Sequence, residues 1–168
     1  MRYHNITTDD MKNGDGLRTV LWVAGCDHHC KECHNPITWD PNGGIEFNIN
    51  TLDELISKLN KEYISGLTLS GGDPLFTLNR MDIFKLCQLF KYKFPNKTLW
   101  IYTGYKWEDI INDETVFKVL QHVDVLVDGK FMEELADIKY KWAGSTNQRV
   151  IDVRKSLQEG KVILYETI

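Results

Sequence analysis

Leu17 to Cys33 reads LRTVLWVAGCDHHCKEC, a β-type run that passes without a break into three cysteines at CxxxCxxC spacing. Val20, Leu21, Trp22 and Val23 are the apolar, β-branched and aromatic types that suit a buried strand. The loop beyond them carries Cys26, Cys30 and Cys33. A strand that delivers metal-ligating side chains at its carboxyl end is typical of parallel α/β sheets, which keep functional groups in those loops.

The same pattern recurs downstream. A strand at Gly66 to Leu69 runs into Ser70, Gly71, Gly72, Asp73 and Pro74; Thr98 to Tyr102 runs into Thr103, Gly104 and Tyr105; Val123 to Val127 runs into Asp128, Gly129 and Lys130. With Leu17 to Ala24 these make four strand ends carrying four motifs, and Arg149 to Val153 and Lys161 to Tyr165 are weaker β-type runs. Between them, Thr51 to Tyr63 puts Leu52, Leu55, Ile56 and Leu59 on one helical face, opening with Thr51 and Glu54 as a capping box. A second helix is expected over Asn79 to Lys93, and one or two more over Trp107 to His122. No repeat, linker or low-complexity stretch divides the chain, so residues 1–168 are expected to form a single α/β domain. Its expected form is an incomplete, open parallel β/α barrel of five to six strands, because a closed eight-fold barrel takes ~250 residues.

Formal charge is −4 with both signs interspersed, which gives no basic stripe for a nucleic-acid backbone. No apolar run approaches membrane-spanning length and no leader pattern opens the sequence. The expectation is a soluble, cytoplasmic protein with neither nucleic acid nor membrane as partner. In a reducing compartment a tight cysteine cluster binds metal or does redox work rather than forming disulfides. Cys87 differs, because Ile83, Leu86, Cys87 and Phe90 share one apolar helical face and read as core.

Three thiolates on one loop leave one iron of a four-iron cube without a protein ligand, whereas a ferredoxin-type set of four saturates it. An open coordination position marks a reactive site. The alternative is zinc held by the same cysteines and one of His28, His29 or His34.

The cysteine loop, CHNPITW at Cys33 to Trp39, LTLSGGDPL at Leu67 to Leu75, WIYTGYKWEDI, VDVLVDGKF and KWAGSTNQR at Lys141 to Arg149 together resemble the anaerobic ribonucleoside-triphosphate reductase-activating proteins. These are small members of the radical S-adenosylmethionine superfamily, and the resemblance, which begins at NGDGLR (Asn13 to Arg18), covers nearly the whole chain. It implies one [4Fe-4S] cluster per chain on Cys26, Cys30 and Cys33, with S-adenosylmethionine chelating the fourth iron. It also implies reductive cleavage of that cofactor to a 5′-deoxyadenosyl radical, which takes a hydrogen from a glycine-bearing loop of the reductase large subunit. The electron donor it implies is a flavodoxin-like protein. Carried over position by position, the resemblance puts Glu32, Cys33 and His34 beside the nucleoside, Ser70, Gly71 and Gly72 beside the methionine part with Asp73 either touching the ligand or stabilising that loop, Thr103 near the cofactor, and Asp128 and Lys130 either near the cofactor or in a solvated turn. Many relatives have tyrosine where this chain has His34, and glycine where it has Glu32. The Gly144 to Gln148 segment is a signature stretch whose residues favour turns. An activase of a formate-lyase-like glycyl radical enzyme, or a zinc-stabilised module without catalysis, are the alternative readings.

Overall fold

The computed structural model describes residues 1–166. Among these, seven strands form one open mixed sheet: β1 (Arg2–Asp10), β2 (Arg18–Val23), β3 (Ile45–Glu46), β4 (Gly66–Gly71), β5 (Thr98–Tyr102), β6 (Val125–Asp128) and β7 (Arg149–Asp152). They lie side by side in the order β3-β1-β2-β4-β5-β6-β7. The centre β2-β4-β5-β6 is parallel, as expected, but β1, β3 and β7 are antiparallel to their neighbours. The sheet is therefore α/β and open, and the expected all-parallel array of five to six strands is corrected to seven strands with antiparallel edges.

Five α-helices accompany it: α1 (Ile49–Leu59), α2 (Arg80–Lys93), α3 (Trp107–Ile110), α4 (Glu114–Leu120) and α5 (Val153–Glu159). Alternation along the strands divides the side chains between two layers. Leu21, Val23, Leu67, Leu69, Leu99, Ile101, Leu126 and Ile151 meet Leu55, Leu59, Ile83, Leu86, Phe90, Val116 and Val119 of the helices in the main core. Cys87 lies fully buried within it, as its helical face implied. On the other face Trp100, Val125 and Val127 pack under Tyr102, Trp142, Val150 and Tyr165.

Strand β1 lies outside the sequence expectations, and two of those expectations shift. The first strand, RYHNITTDD, is mostly polar, and a register shift between Tyr3 and Asn5 breaks its alternation, so its buried residues Tyr3 and Ile6 stand three apart rather than two. Helix α1 starts earlier and ends sooner than Thr51 to Tyr63. Its capping box is Asn48 with Thr51, the Asn48 side chain accepting from Thr51 N at 3.1 Å and Thr51 Oγ1 accepting from Asn48 N at 3.3 Å. Lys161 to Tyr165 forms no strand; Leu164 makes one isolated bridge to Ile151.

Arg18 opens β2 fully buried on the sheet face of Trp100, with its guanidinium 5.5 Å from that ring. Its donors reach Thr68 Oγ1, the Asp15 and Leu67 carbonyls, and both Thr98 oxygens, all between 2.8 and 3.0 Å. Burial away from any directly bonded carboxylate brings its pKa down to about 10.

Candidate metal and cofactor site

The parallel register brings the ends of β2, β4, β5 and β6 to one edge of the sheet, and the four motifs meet there. The cysteine loop is fastened at its root. Gly25 N donates to Thr38 O at 2.7 Å, Cys26 N to Trp39 O at 3.1 Å, and Asn79 Nδ2 to Ala24 O at 2.8 Å. Cys26, Cys30 and Cys33 are all free thiols and half-buried. Burial pushes the Cys26 thiol up to about 11 and raises Cys30 as well, so both are protonated at neutral pH without a ligand. Binding a metal group there releases protons.

The donor set fits a cluster better than one ion. His28 bonds Asp73 through Nε2 at 2.6 Å, His29 stacks on Trp39 at 4.4 Å, and His34 tilts against Phe131 at 4.9 Å. All three candidate imidazoles thus have other neighbours. Three soft sulfurs on one loop suit iron–sulfur coordination.

Glu32, immediately before the third cysteine, holds φ at 58°, in the left-handed region that favours glycine. A glycine would hold that conformation without the Cβ strain. The Glu32 and His34 side chains are exposed at the loop surface.

At the end of β4 the two glycines are required by close backbone approach. A Cβ on Gly71, whose φ is 106°, would come within 2.5 Å of Val23 N, and one on Gly72 would come 2.5 Å from Gly25 O. The glycine loop is therefore pressed against the root of the cysteine loop, and Ser70, half-buried, sits opposite Trp22 in register. Asp73 is buried and turned inward. Its carboxylate accepts from His28 Nε2 at 2.6 Å, Leu75 N at 2.9 Å, Gly104 N at 2.9 Å, and Thr103 Oγ1 at 2.9 Å to each oxygen. Asp73 and Thr103 thus join the loops after β2, β4 and β5.

Asp128 is also buried rather than part of a solvated turn. It accepts from Trp107 N at 2.8 Å and from Arg149 Nη2 at 2.6 Å, while Arg149 also grips Glu108 through both terminal nitrogens. Lys130 is exposed, close enough to Cys30 for its charge to favour the thiolate. The late segment now has a visible task. Gln148 Nε2 donates to Gly129 O at 3.0 Å, Asn147 Nδ2 donates to Lys130 O at 2.8 Å, and Gln148 Oε1 accepts from Gly144 N at 2.8 Å. It clamps the loop after β6. Sequence reading did not find His28 as a partner of Asp73, nor Arg149 and Gln148 as loop anchors; these pairings join distant positions and leave no local periodicity.

Comparison with known proteins agrees with this geometry. The description "4Fe-4S single cluster domain" matches residues 12–151, which places the chain among single-cluster iron–sulfur proteins. The anaerobic ribonucleoside-triphosphate reductase-activating protein of Enterobacteria phage T4 is 47% identical over 150 residues, covering 89% of this chain and 93% of that protein. That of Escherichia coli K12 is 41% identical over 156 residues, covering 92% of this chain and 100% of its own length, and that of Vibrio cholerae is 40% identical over 150 residues, covering 88% and 96%. The chain belongs to the family of anaerobic ribonucleoside-triphosphate reductase-activating proteins.

Proposed function

We propose that this protein activates an anaerobic ribonucleoside-triphosphate reductase by generating a glycyl radical on the reductase large subunit, using S-adenosylmethionine and one [4Fe-4S] cluster held by Cys26, Cys30 and Cys33. The observation that carries the reading is the three-thiol loop at the end of β2, packed against the Gly71–Gly72 loop at the end of β4. When bound, the cluster and S-adenosylmethionine supply one-electron cleavage of the sulfonium to methionine and a 5′-deoxyadenosyl radical, which removes one hydrogen from a glycine.

The chain's own groups have positional tasks. Ser70, Gly71 and Gly72 line the side of the site that faces the methionine part, offering backbone close to the thiols. Glu32 and His34 stand at the mouth beside the nucleoside. Lys130 brings a positive charge near Cys30, which suits a ligand carboxylate or the cluster's negative charge. Asp73, Thr103 and Asp128 act through the loops they hold, since their hydrogen-bonding atoms are engaged within the protein. Because the sheet is open, a folded partner can present a loop at the edge where the strand ends meet. A small reducing protein such as flavodoxin is the proposed electron donor.

The test is anaerobic reconstitution with iron and sulfide, reduction, and assay for 5′-deoxyadenosine and for a glycine-centred radical signal in the reductase. A brown protein that gives both supports the reading. A colourless protein holding zinc and yielding no deoxyadenosine overturns it, and deoxyadenosine without a radical on the reductase redirects the partner.

A further inference from the structure

His28 sits inside the cysteine loop, between Cys26 and Cys30, yet its side chain is only 5% exposed. Its ring leaves the loop and enters the space between the neighbouring strand ends. Nε2 meets Asp73 Oδ2 at 2.6 Å, and the ring packs edge-on against Tyr105 at 4.4 Å. Gly104 has no side chain because this ring occupies the space: a Cβ there would lie 2.5 Å from the imidazole. The accepting carboxylate is itself held by Thr103 Oγ1, Gly104 N and Leu75 N. One imidazole therefore connects the metal-ligand loop to two other strand-end loops through a buried acceptor.

We infer that His28 is a positioning residue, whose bond to Asp73 fixes the Cys26–Cys30 span against the β4 and β5 loops before any metal group binds. The inference rests on the proposed function only for what the thiols are held to receive. The physical reason is the strength of the tie. A short hydrogen bond to a carboxylate excluded from water is stronger than a neutral one. The loop's other ties are at its surface or local: beyond the root, Tyr105 OH donates to exposed Asp27 Oδ1 at 3.2 Å, His29 stacks on Trp39 at 4.4 Å, and Cys33 N donates to Cys30 O at 3.1 Å, so the His28–Asp73 bond is the buried one. Asp73, the acid that follows the two glycines, thus serves the cysteine loop.

The test compares His28→Ala and His28→Gln with the unmodified chain. Gln can place its side-chain nitrogen near the position of Nε2 and keep the donor. In metal-free protein, iodoacetamide labelling of each cysteine is followed by mass spectrometry, with fully buried Cys87 reporting global opening. His28→Ala should label Cys26 and Cys30 about tenfold faster, the factor that loss of a hydrogen bond to a charged group carries, while Cys87 stays protected. His28→Gln should return both rates to within about twofold of the unmodified chain. In reconstituted protein, iron release to a chelator should follow the same order. Unchanged labelling in His28→Ala overturns the inference, as does His28→Gln labelling as fast as His28→Ala. Labelling needs no cluster, so an unmodified protein that makes no deoxyadenosine would overturn the proposed function and leave this test standing.

Discussion

Arg149 holds Asp128 with two hydrogen bonds, Nη2 to Oδ2 at 2.6 Å and Nε to Oδ1 at 3.1 Å, across the antiparallel pairing of β7 with β6. The carboxylate is 1% exposed, so the guanidinium is its charge partner within the fold. Replacing Arg149 with Met leaves Asp128 buried with Trp107 N as its remaining donor. Loss of one partner from a fully buried pair costs about 3–5 kcal/mol, and the 32% exposure of Arg149 lowers the expected cost here to about 1–3 kcal/mol. Urea unfolding of Arg149→Met should show that drop, and the double variant with Asp128→Asn should recover part of it. Equal stability in the single variant would contradict the pairing.

Asp124 gives a prediction in pH. Burial alone would raise its pKa, but bonds from Lys91 at 2.6 Å, Leu99 N at 2.8 Å and Arg154 at 2.7 Å hold it below its ordinary 3.8. A carboxylate whose folded pKa is depressed adds stability above its unfolded pKa, and that stability is lost as pH falls through the folded value. The stability gap between the unmodified chain and Asp124→Asn should therefore be level at neutral pH and begin to close only below about pH 4. A gap that closes above pH 5 would sink the assignment.

Gln148 makes a local prediction. Its side chain accepts from Gly144 N and Ser145 N and donates to Gly129 O. In Gln148→Ala the amides of Gly144 and Ser145 should exchange hydrogen about tenfold faster or more, while β4 and β5 amides keep their protection. Uniform acceleration across the chain would mean the clamp is not local.

Cys26 and Cys30 should titrate high without metal. Cys26, raised to about 11 by burial, should alkylate roughly tenfold faster per pH unit from neutrality to near its pKa, since the thiolate is the reactive form. A plateau near pH 9, where an ordinary thiol levels off, would show that the loop is more open than described.

How much of this was legible in the sequence depended on the range of each interaction. The central strands and α2 were readable because Val20 to Val23 and Ile83 to Phe90 carry their burial in local pattern. The clustering of four motifs followed from their shared place after strands. Strand β1 was missed because a register shift removes its period and most of its residues are polar. The site's internal wiring was hidden for a different reason: His28 and Asp73 are 45 positions apart, and neither residue type announces its partner. A histidine among cysteines looks like a ligand until its ring is seen turned elsewhere.

Arg18 also bears on the order in which the chain can fold. Its guanidinium bonds Thr98, 80 positions later, through both the hydroxyl and the carbonyl. A nascent chain that has not yet produced β5 lacks these two acceptors, and drying a charged group with open donors is costly. Until Thr98 emerges, Arg18 can reach Asp15, Leu67 and Thr68, but two of its five bonds, those that tie β2 across β4 to β5, are unmade. A released fragment ending before residue 98 should be cut by protease through Leu67 and Thr68 far faster than the full-length chain, and equal protection of the two would contradict this dependence on β5. The buried cation thus makes full closure of the sheet centre depend on β5, so three of the four strands whose ends frame the site are tied through one side chain.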